Sequence, residues 1–126
     1  MNDLQERIKR INDNAEYTLK ILQAQPIIVQ SWGATKFKAC EYRDMPALKF
    51  RVRGFLHKGY VYVCFNGGAD LFEVYLTNMK GKEVNSITGV YFDMLVDTID
   101  SMVETKNDKS EEYHNNVNEF IKDCFK

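Results

Sequence analysis

The sequence has no long apolar run, only two prolines and no closely spaced pair of cysteines, and each shortage excludes a class of protein. A membrane-spanning helix needs roughly 20 consecutive apolar residues, and no stretch of this chain approaches that length. The chain opens on the charged segment that begins Met1-Asn2-Asp3, so we expect no secretory signal. A length of 126 residues with 44% hydrophobic residues, 13% aromatic residues and only two prolines predicts one ordered globular domain and excludes a linker or a disordered tail.

Cysteine and histidine are too few and too scattered for a recognisable metal centre. Cys40, Cys64 and Cys124 form no CxxC pair and are odd in number, which is typical of reduced thiols in a cytoplasmic protein. His57 and His114 belong to no HxxxH or HExxH motif. No cysteine or serine can be paired with either histidine from the sequence, so no nucleophile has an assignable base. We therefore predict no metal, no cofactor and no catalytic residue.

The net charge of −1 conceals an uneven distribution of charge along the chain. Residues 1–58 carry eleven Lys and Arg against six Asp and Glu, whereas residues 59–126 carry six against twelve. A globally basic nucleic-acid-binding protein is therefore not indicated. A basic surface beside an acidic one remains compatible with this distribution.

Apolar residues recur at steps of three and four between residues 3 and 23, which predicts an amphipathic helix that ends before Pro26. Its apolar stripe either packs on the domain's own sheet or pairs with a second copy of the chain, because the same residues fit a short heptad run. The stripe consists of Leu4, Ile8, Ile11, Ala15, Leu19 and Leu22, and Thr18 takes the place of Leu19 in the heptad run.

Alternating apolar residues predict strands at about 47–56, 59–66 and 71–78, which follow one another through short connections. Asn66-Gly67-Gly68 lies between the last two of these strands. Asn and Gly readily adopt positive φ, so this segment indicates a tight hairpin turn rather than a phosphate-binding loop.

The segment before these strands is rich in β-branched residues and predicts a further strand at about 27–32. Residues 35–42 form either a short strand or an irregular return, and residues 82–88 could add an edge strand. The apolar spacing then becomes helical and predicts helices at about 90–105 and 112–125. Together these elements predict a single α+β domain over residues 1–126, with a mainly antiparallel sheet of four to five strands and helices packed on one face.

The strand pattern places apolar side chains on one face of the sheet and a basic, tyrosine-bearing set on the other. The second face is either solvated and stabilised by cross-strand pairs, or a surface that stacks unpaired bases and holds phosphates, or an interface with another protein. Its candidate binding residues are Lys49, Arg51, Arg53, Tyr60, Tyr62 and Tyr75.

Two other features are candidate contact sites. Trp32, the only tryptophan, lies before Gly33 and is either a buried side chain at the edge of the core or an exposed anchor beside a glycine loop. An acidic stripe follows one side of the predicted helix at 90–105, either as a solvated face or as a docking site for a basic partner. The stripe consists of Asp93, Asp97, Asp100 and Glu104.

Several short segments between about residues 18 and 103 resemble a group of small uncharacterised proteins carried by phages and conjugative elements. These segments are Ile21-Leu22-Gln23, Gly33-Ala34-Thr35-Lys36-Phe37, Leu48-Lys49-Phe50-Arg51, Asp70-Leu71-Phe72-Glu73-Val74 and Gly89-Val90-Tyr91-Phe92-Asp93-Met94-Leu95. The resemblance implies a mobile-element context and carries no activity with it.

The sequence thus predicts a cytoplasmic, non-catalytic interaction protein of phage or mobile-element type, which binds and modulates a host or defence protein stoichiometrically. Its expected partner is another protein or a second copy of itself, and no membrane is expected to take part. The alternative is a single-stranded nucleic-acid-binding domain that uses the Tyr, Arg and Lys face of the sheet.

Overall fold

A computed structural model describes residues 3–104. These residues form a five-stranded antiparallel sheet in which each strand pairs with the next in sequence, in the order β1-β2-β3-β4-β5. The elements are α1 (Asp3–Gln23), α2 (Pro26–Ser31), β1 (Thr35–Tyr42), β2 (Met45–Arg53), β3 (Lys58–Asn66), β4 (Leu71–Thr77), β5 (Glu83–Val90), a 3₁₀ turn (Phe92–Met94) and α3 (Leu95–Val103). The predicted α+β class is confirmed, and the helix predicted at 112–125 lies outside the described residues.

The N-terminal helix is confirmed at residues 3–23 and packs on β1 and β2. Only its C-terminal part is buried, through Ala15, Thr18 and Leu22, whereas Leu4 and Ile8 are 61% and 48% exposed. The sheet therefore covers the end of the apolar stripe and leaves its beginning uncovered. Pairing of this beginning with a second copy stays a prediction.

The predicted division of the sheet into two faces is confirmed by the register. Leu48 lies opposite Val63, and Val63 opposite Val74, so apolar side chains stack from strand to strand on one face. This row belongs to the same buried core as Leu95 and Ile99 of α3. At about 25 cal/mol per Å² of apolar area removed from water, this core is the main source of stability.

The strand predicted at 27–32 is wrong, because residues Pro26–Ser31 form the short helix α2. Pro26 occupies the first turn, where its fixed φ favours a helix and its missing N–H costs nothing. Three β-branched residues follow, but their preference for strands is well under 1 kcal/mol each and tertiary packing overrides it. Ile28 and Val29 pack against the core, and Ile27 is 81% exposed.

The helix predicted at 90–105 begins later, at Leu95, after a 3₁₀ turn. Val90 instead ends β5, where it pairs with Phe72 and is buried. Gly89, with φ of 68°, bends the strand at that point. Phe92 lies in the 3₁₀ turn and is 59% exposed.

Residues 35–42 and 83–90 are both strands and form the two edges of the sheet. The possible edge strand at 82–88 is thereby confirmed. Within residues 3–104, no helix is both long enough and apolar enough to cross a membrane.

Candidate functional site

The face of the sheet opposite the helices carries a concentration of positive charge on β1, β2 and β3. Cross-strand pairing joins Lys38 to Lys49, Lys49 to Tyr62, Arg51 to Tyr60 and Arg53 to Lys58. Because side chains alternate along a strand, all of these residues project from the same face. We call the set Lys38, Lys49, Arg51, Arg53, Lys58, Tyr60 and Tyr62 the basic face.

The cations of the basic face have no carboxylate partners among residues 3–104. The salt bridges of this part of the chain are Arg7–Glu41, Lys9–Asp13 and Arg43–Glu83, and none involves the basic face. Five like charges held close on a folded surface repel one another unless anions neutralise them. The basic face is therefore a ready acceptor for an anionic partner.

Lys49 is held over the two tyrosines of the basic face. Its Nζ lies 4.5 Å from the ring centroid of Tyr60 and 5.5 Å from that of Tyr62. These are cation–π distances, and such contacts are each worth about 0.5–1 kcal/mol at exposed sites. A base that stacked on Tyr60 from this side would have to displace the ammonium group.

The other half of this sheet face is covered by the protein's own side chains. The ring of Tyr42 stacks on Tyr62 with centroids 4.3 Å apart, and its hydroxyl donates a 2.6 Å hydrogen bond to Glu83 Oε1. Arg43 donates to the same carboxylate at 2.9 Å and lies 4.8 Å from the ring centroid of Tyr75. We call Tyr42, Arg43, Glu73, Tyr75 and Glu83 the bridge cluster.

Tyr75 belongs to this cluster and does not present the exposed binding surface that the sequence predicted. It is only 6% exposed, and its hydroxyl donates a 2.6 Å hydrogen bond to Glu73 Oε1. Burial, followed by this hydrogen bond, raises the pKa of Tyr75 to about 12, and burial and the bond to Glu83 do the same for Tyr42. The hydrogen bond from Tyr42 and that from Arg43 lower the pKa of Glu83.

Trp32 is fully buried, so the first of its two predicted roles, a buried side chain at the edge of the core, is confirmed, and the second, an exposed binding anchor, is wrong. Its ring stacks beside Phe50, and its Nε1 donates a 2.9 Å hydrogen bond to Asp100 Oδ1 on α3. Folding of 26–31 as a helix turns the indole inwards.

The acidic stripe is divided in the structure. Asp93 lies in the 3₁₀ turn and Asp97 in the first turn of α3, and both are exposed. Asp100 accepts the hydrogen bond from Trp32, and Glu104 Oε1 accepts one from the backbone N–H of Phe55 at 3.0 Å. Burial raises the pKa of Glu104. Two of the four carboxylates thus hold the fold together.

Reactive side chains in the described part of the chain are buried, partly buried or hydrogen-bonded locally. Burial raises the pKa of Cys64 to about 12 and lowers that of His57. The hydroxyl of Ser31 donates to the carbonyl of Ile28 at 2.6 Å, not to a histidine. Residues 3–104 contain no group of three or more His, Cys, Asp or Glu arranged to hold a metal ion.

The sequence did not identify Lys38, Tyr42 or Glu83 as members of this face. Thr35 to Tyr42 was open to an irregular conformation, and without a strand its residues could not be assigned to a face. The one signal in the sequence was Asp44, because Asp tolerates positive φ better than most residues. In the structure Arg43 and Asp44 both have positive φ and join β1 tightly to β2. A tight antiparallel hairpin at that point places Lys38 beside Lys49.

Comparison with known proteins gives no match to a family model, a curated protein or a solved structure. The resemblance to proteins of phages and conjugative elements therefore stays a prediction.

Proposed function

We propose that the protein is a non-catalytic interaction protein, and that its basic face binds an acidic surface of a partner protein. The observation that carries this proposal is the set of five cations without a carboxylate partner among residues 3–104. Of the surfaces that the sequence offered, Trp32 is buried and the acidic stripe is half engaged within the fold. The basic face is the remaining one, and most of its cations are exposed.

The composition of the basic face would give it two properties of an interaction surface. Its charge would steer an acidic partner during diffusion, which raises association rates at low salt. Arginine and tyrosine would supply contact energy once the partner has docked, since both are enriched among residues that dominate binding. By its resemblance, we assign the partner to the host or defence machinery that a mobile element meets in the cytoplasm.

The experiment is an affinity capture from extract of the natural host at low salt, with bound proteins quantified by mass spectrometry. The test variant is Lys38→Glu/Arg53→Glu, which reverses two exposed cations of the basic face. The control variant is Arg10→Glu/Lys20→Glu, which makes the same charge change at exposed positions on α1. We expect the test variant to capture at least ten-fold less of a specific partner than the wild type, and the control variant to capture as much as the wild type. Equal capture by all three proteins would contradict the proposal.

A second candidate function, binding of single-stranded nucleic acid, is favoured by Tyr60. This tyrosine is half-buried and lies directly across from Arg51, so an aromatic ring and a cation face the same side. Bound bases would stack on such rings. Tyr60→Ala would therefore weaken the binding free energy by about 1–3 kcal/mol for each base stack that it removes. Replacement of Arg51 or Arg53 would instead flatten the salt dependence, by about 0.7 log unit per phosphate contact.

A labelled single-stranded oligonucleotide separates the two candidates. If the partner is a protein, no binding is expected at micromolar protein in about 50 mM salt, where non-specific binding is normally strongest. Tight binding that Tyr60→Ala weakens and Lys20→Ala does not would favour the nucleic acid instead.

A further inference from the structure

One corner of the sheet holds a pocket next to the basic face, and most of the residues that line it are polar or charged. It lies where α2 ends and β1 begins, and its volume is about 550 Å³. Three of its lining residues are cations, Lys36, Arg51 and Arg53, and none is acidic. The remaining lining residues are Gln30, Ser31, Gly33 and Thr35.

We propose that this pocket binds a phosphate monoester dianion, in the form of a phosphorylated side chain of the partner protein. The inference rests on the proposed function, because it assigns one group of the partner to one part of the same surface. It adds a requirement that the basic face alone does not make, namely a phosphate group at a defined position.

Arg51 supplies the most specific observation. Its Nε is sealed from solvent and has no hydrogen-bond partner. A buried donor without an acceptor destabilises the folded protein, and more so when it belongs to a charged group. Arg51 lines the pocket, so an oxyanion that drew its guanidinium outwards would provide the missing acceptor and convert this cost into a charge-assisted hydrogen bond.

The walls of the pocket are held by the backbone. The N–H of Arg53 donates a 2.7 Å hydrogen bond to the carbonyl of Trp32, which fixes the end of β2 against the loop. Gly33 has φ of 67°, and a Cβ placed there would lie 3.4 Å from Cβ of Arg53. Lys36 has φ of 58°, at the irregularity of β1 between Thr35 and Lys38. The three cations therefore approach one pocket from two strands.

The end of α2 brings carbonyl groups to this corner, and these would repel an anion if they were free. Three of them already accept hydrogen bonds, from Ser31 Oγ, Trp32 N and Gly33 N. Their lone pairs are thus partly engaged, and the side-chain cations dominate the electrostatic potential of the pocket.

The charge and the geometry both favour a monoester over a diester. A phosphomonoester carries about −1.5 to −2 charges at neutral pH and three terminal oxygens, enough to accept from two guanidinium groups and an ammonium together. A phosphodiester of a nucleic acid carries one charge and two free oxygens. Three cations around one pocket exceed what a single diester would satisfy.

The test is titration of the purified protein with a phosphoserine peptide, followed by ³¹P NMR and isothermal calorimetry. Inorganic phosphate, the unphosphorylated peptide and a thymidine dinucleotide with a single phosphodiester serve as comparison probes. We expect the phosphopeptide to bind, inorganic phosphate to bind more weakly, and the other two probes not to bind. Because the second pKa of the phosphate is about 6, affinity should rise between about pH 5 and pH 7.

Matched variants locate the site. Lys36→Gln and Arg51→Gln are each expected to weaken binding of the phosphopeptide about ten-fold or more, whereas Lys20→Gln is expected to change it less than about three-fold. Lys36 and Lys20 are both exposed lysines, and only Lys36 lines the pocket. Since Lys36 is exposed, its variant tests the pocket even if Arg51→Gln unfolds, which circular dichroism would reveal.

Three results would overturn the inference: no binding of the phosphopeptide, equal binding of the unphosphorylated peptide, or equal losses for Lys36→Gln and Lys20→Gln. Preference for the dinucleotide would also overturn it and favour the nucleic-acid candidate. If the phosphopeptide does not bind but the basic face still captures a host protein, the inference about the pocket is wrong and the proposed function is unaffected. Binding of the phosphopeptide without capture of any host protein would contradict the proposed function, and the pocket would still be a phosphate-binding site.

Discussion

The hydroxyl of Tyr42 donates a 2.6 Å hydrogen bond to Glu83, although these two residues lie on opposite edge strands and 41 positions apart in the chain. Tyr42 ends β1 and Glu83 begins β5. The right-handed twist of a sheet raises two diagonally opposite corners towards the same face. In this protein the raised corners meet, and the contact divides the second face into a covered half and the open basic face.

Loss of the Tyr42 hydroxyl should destabilise the fold by a measurable but modest amount. Tyr42→Phe keeps the stacking on Tyr62 and leaves Glu83 bound to Arg43. We expect a loss of about 0.5–1.5 kcal/mol in the free energy of unfolding, the usual net value of one hydrogen bond. Urea denaturation measures it, with Tyr91→Phe, 63% exposed, as the control. Equal midpoints for the two variants would show that the bridge adds nothing to stability.

The fold should lose stability at alkaline pH through the same cluster. Unfolded tyrosines lose their protons near pH 10, whereas in the folded protein the pKa values of Tyr42 and Tyr75 are raised to about 12. Between these values the unfolded chain binds fewer protons, so the free energy of unfolding must fall as pH rises through that window. This contribution is fully present below about pH 10.

Urea midpoints measured from pH 8 to 12 test this dependence. The variant Tyr42→Phe/Tyr75→Phe should show a shallower decline, because its two titrating groups are gone. A decline of the same steepness in the variant and the wild type would assign the loss to other groups.

Strands β2, β3 and β4 were predictable because their apolar residues alternate without interruption, and so was the basic set on the opposite side of β2 and β3. The helix at residues 26–31 could not be predicted in this way. Its β-branched residues favour a strand, Pro26 favours a helix, and packing against the core decides between the two. The bridge from Tyr42 to Glu83 was also beyond sequence reasoning. It depends on how far the whole sheet twists, which no local pattern encodes.

The burial of Trp32 has a direct spectroscopic consequence. As the only tryptophan, it accounts for all indole fluorescence of the chain, and it is fully buried. We expect emission shifted to the blue of free tryptophan and little quenching by acrylamide. Trp32→Ala should cost about 3–5 kcal/mol, as large core truncations do, while Ile27→Ala, at a position 81% exposed, should change stability by less than about 0.5 kcal/mol. Strong quenching in the native protein would contradict the buried position.

Gly54 is required where α3 meets the connection between β2 and β3. A Cβ at this position would lie 2.4 Å from the carbonyl oxygen of Val103 and 2.5 Å from its Cγ1, so the backbone would have to move. We expect Gly54→Ala to cost about 1–3 kcal/mol, as overpacking does. Gly67→Ala is the matched control, since its Cβ would meet nothing within 4 Å. Similar unfolding midpoints for the two variants would show that α3 does not pack closely on Gly54.

The most direct test of the account is lysine footprinting of the wild-type protein in host extract. Acetylation rates are measured by mass spectrometry with and without the extract, at Lys38 and Lys58 of the basic face and at Lys9 and Lys20 of α1. All four side chains belong to exposed residues. We expect the extract to slow acetylation of Lys38 and Lys58 several-fold and to leave that of Lys9 and Lys20 unchanged. Protection of Lys9 and Lys20 with free reaction at Lys38 and Lys58 would contradict the account.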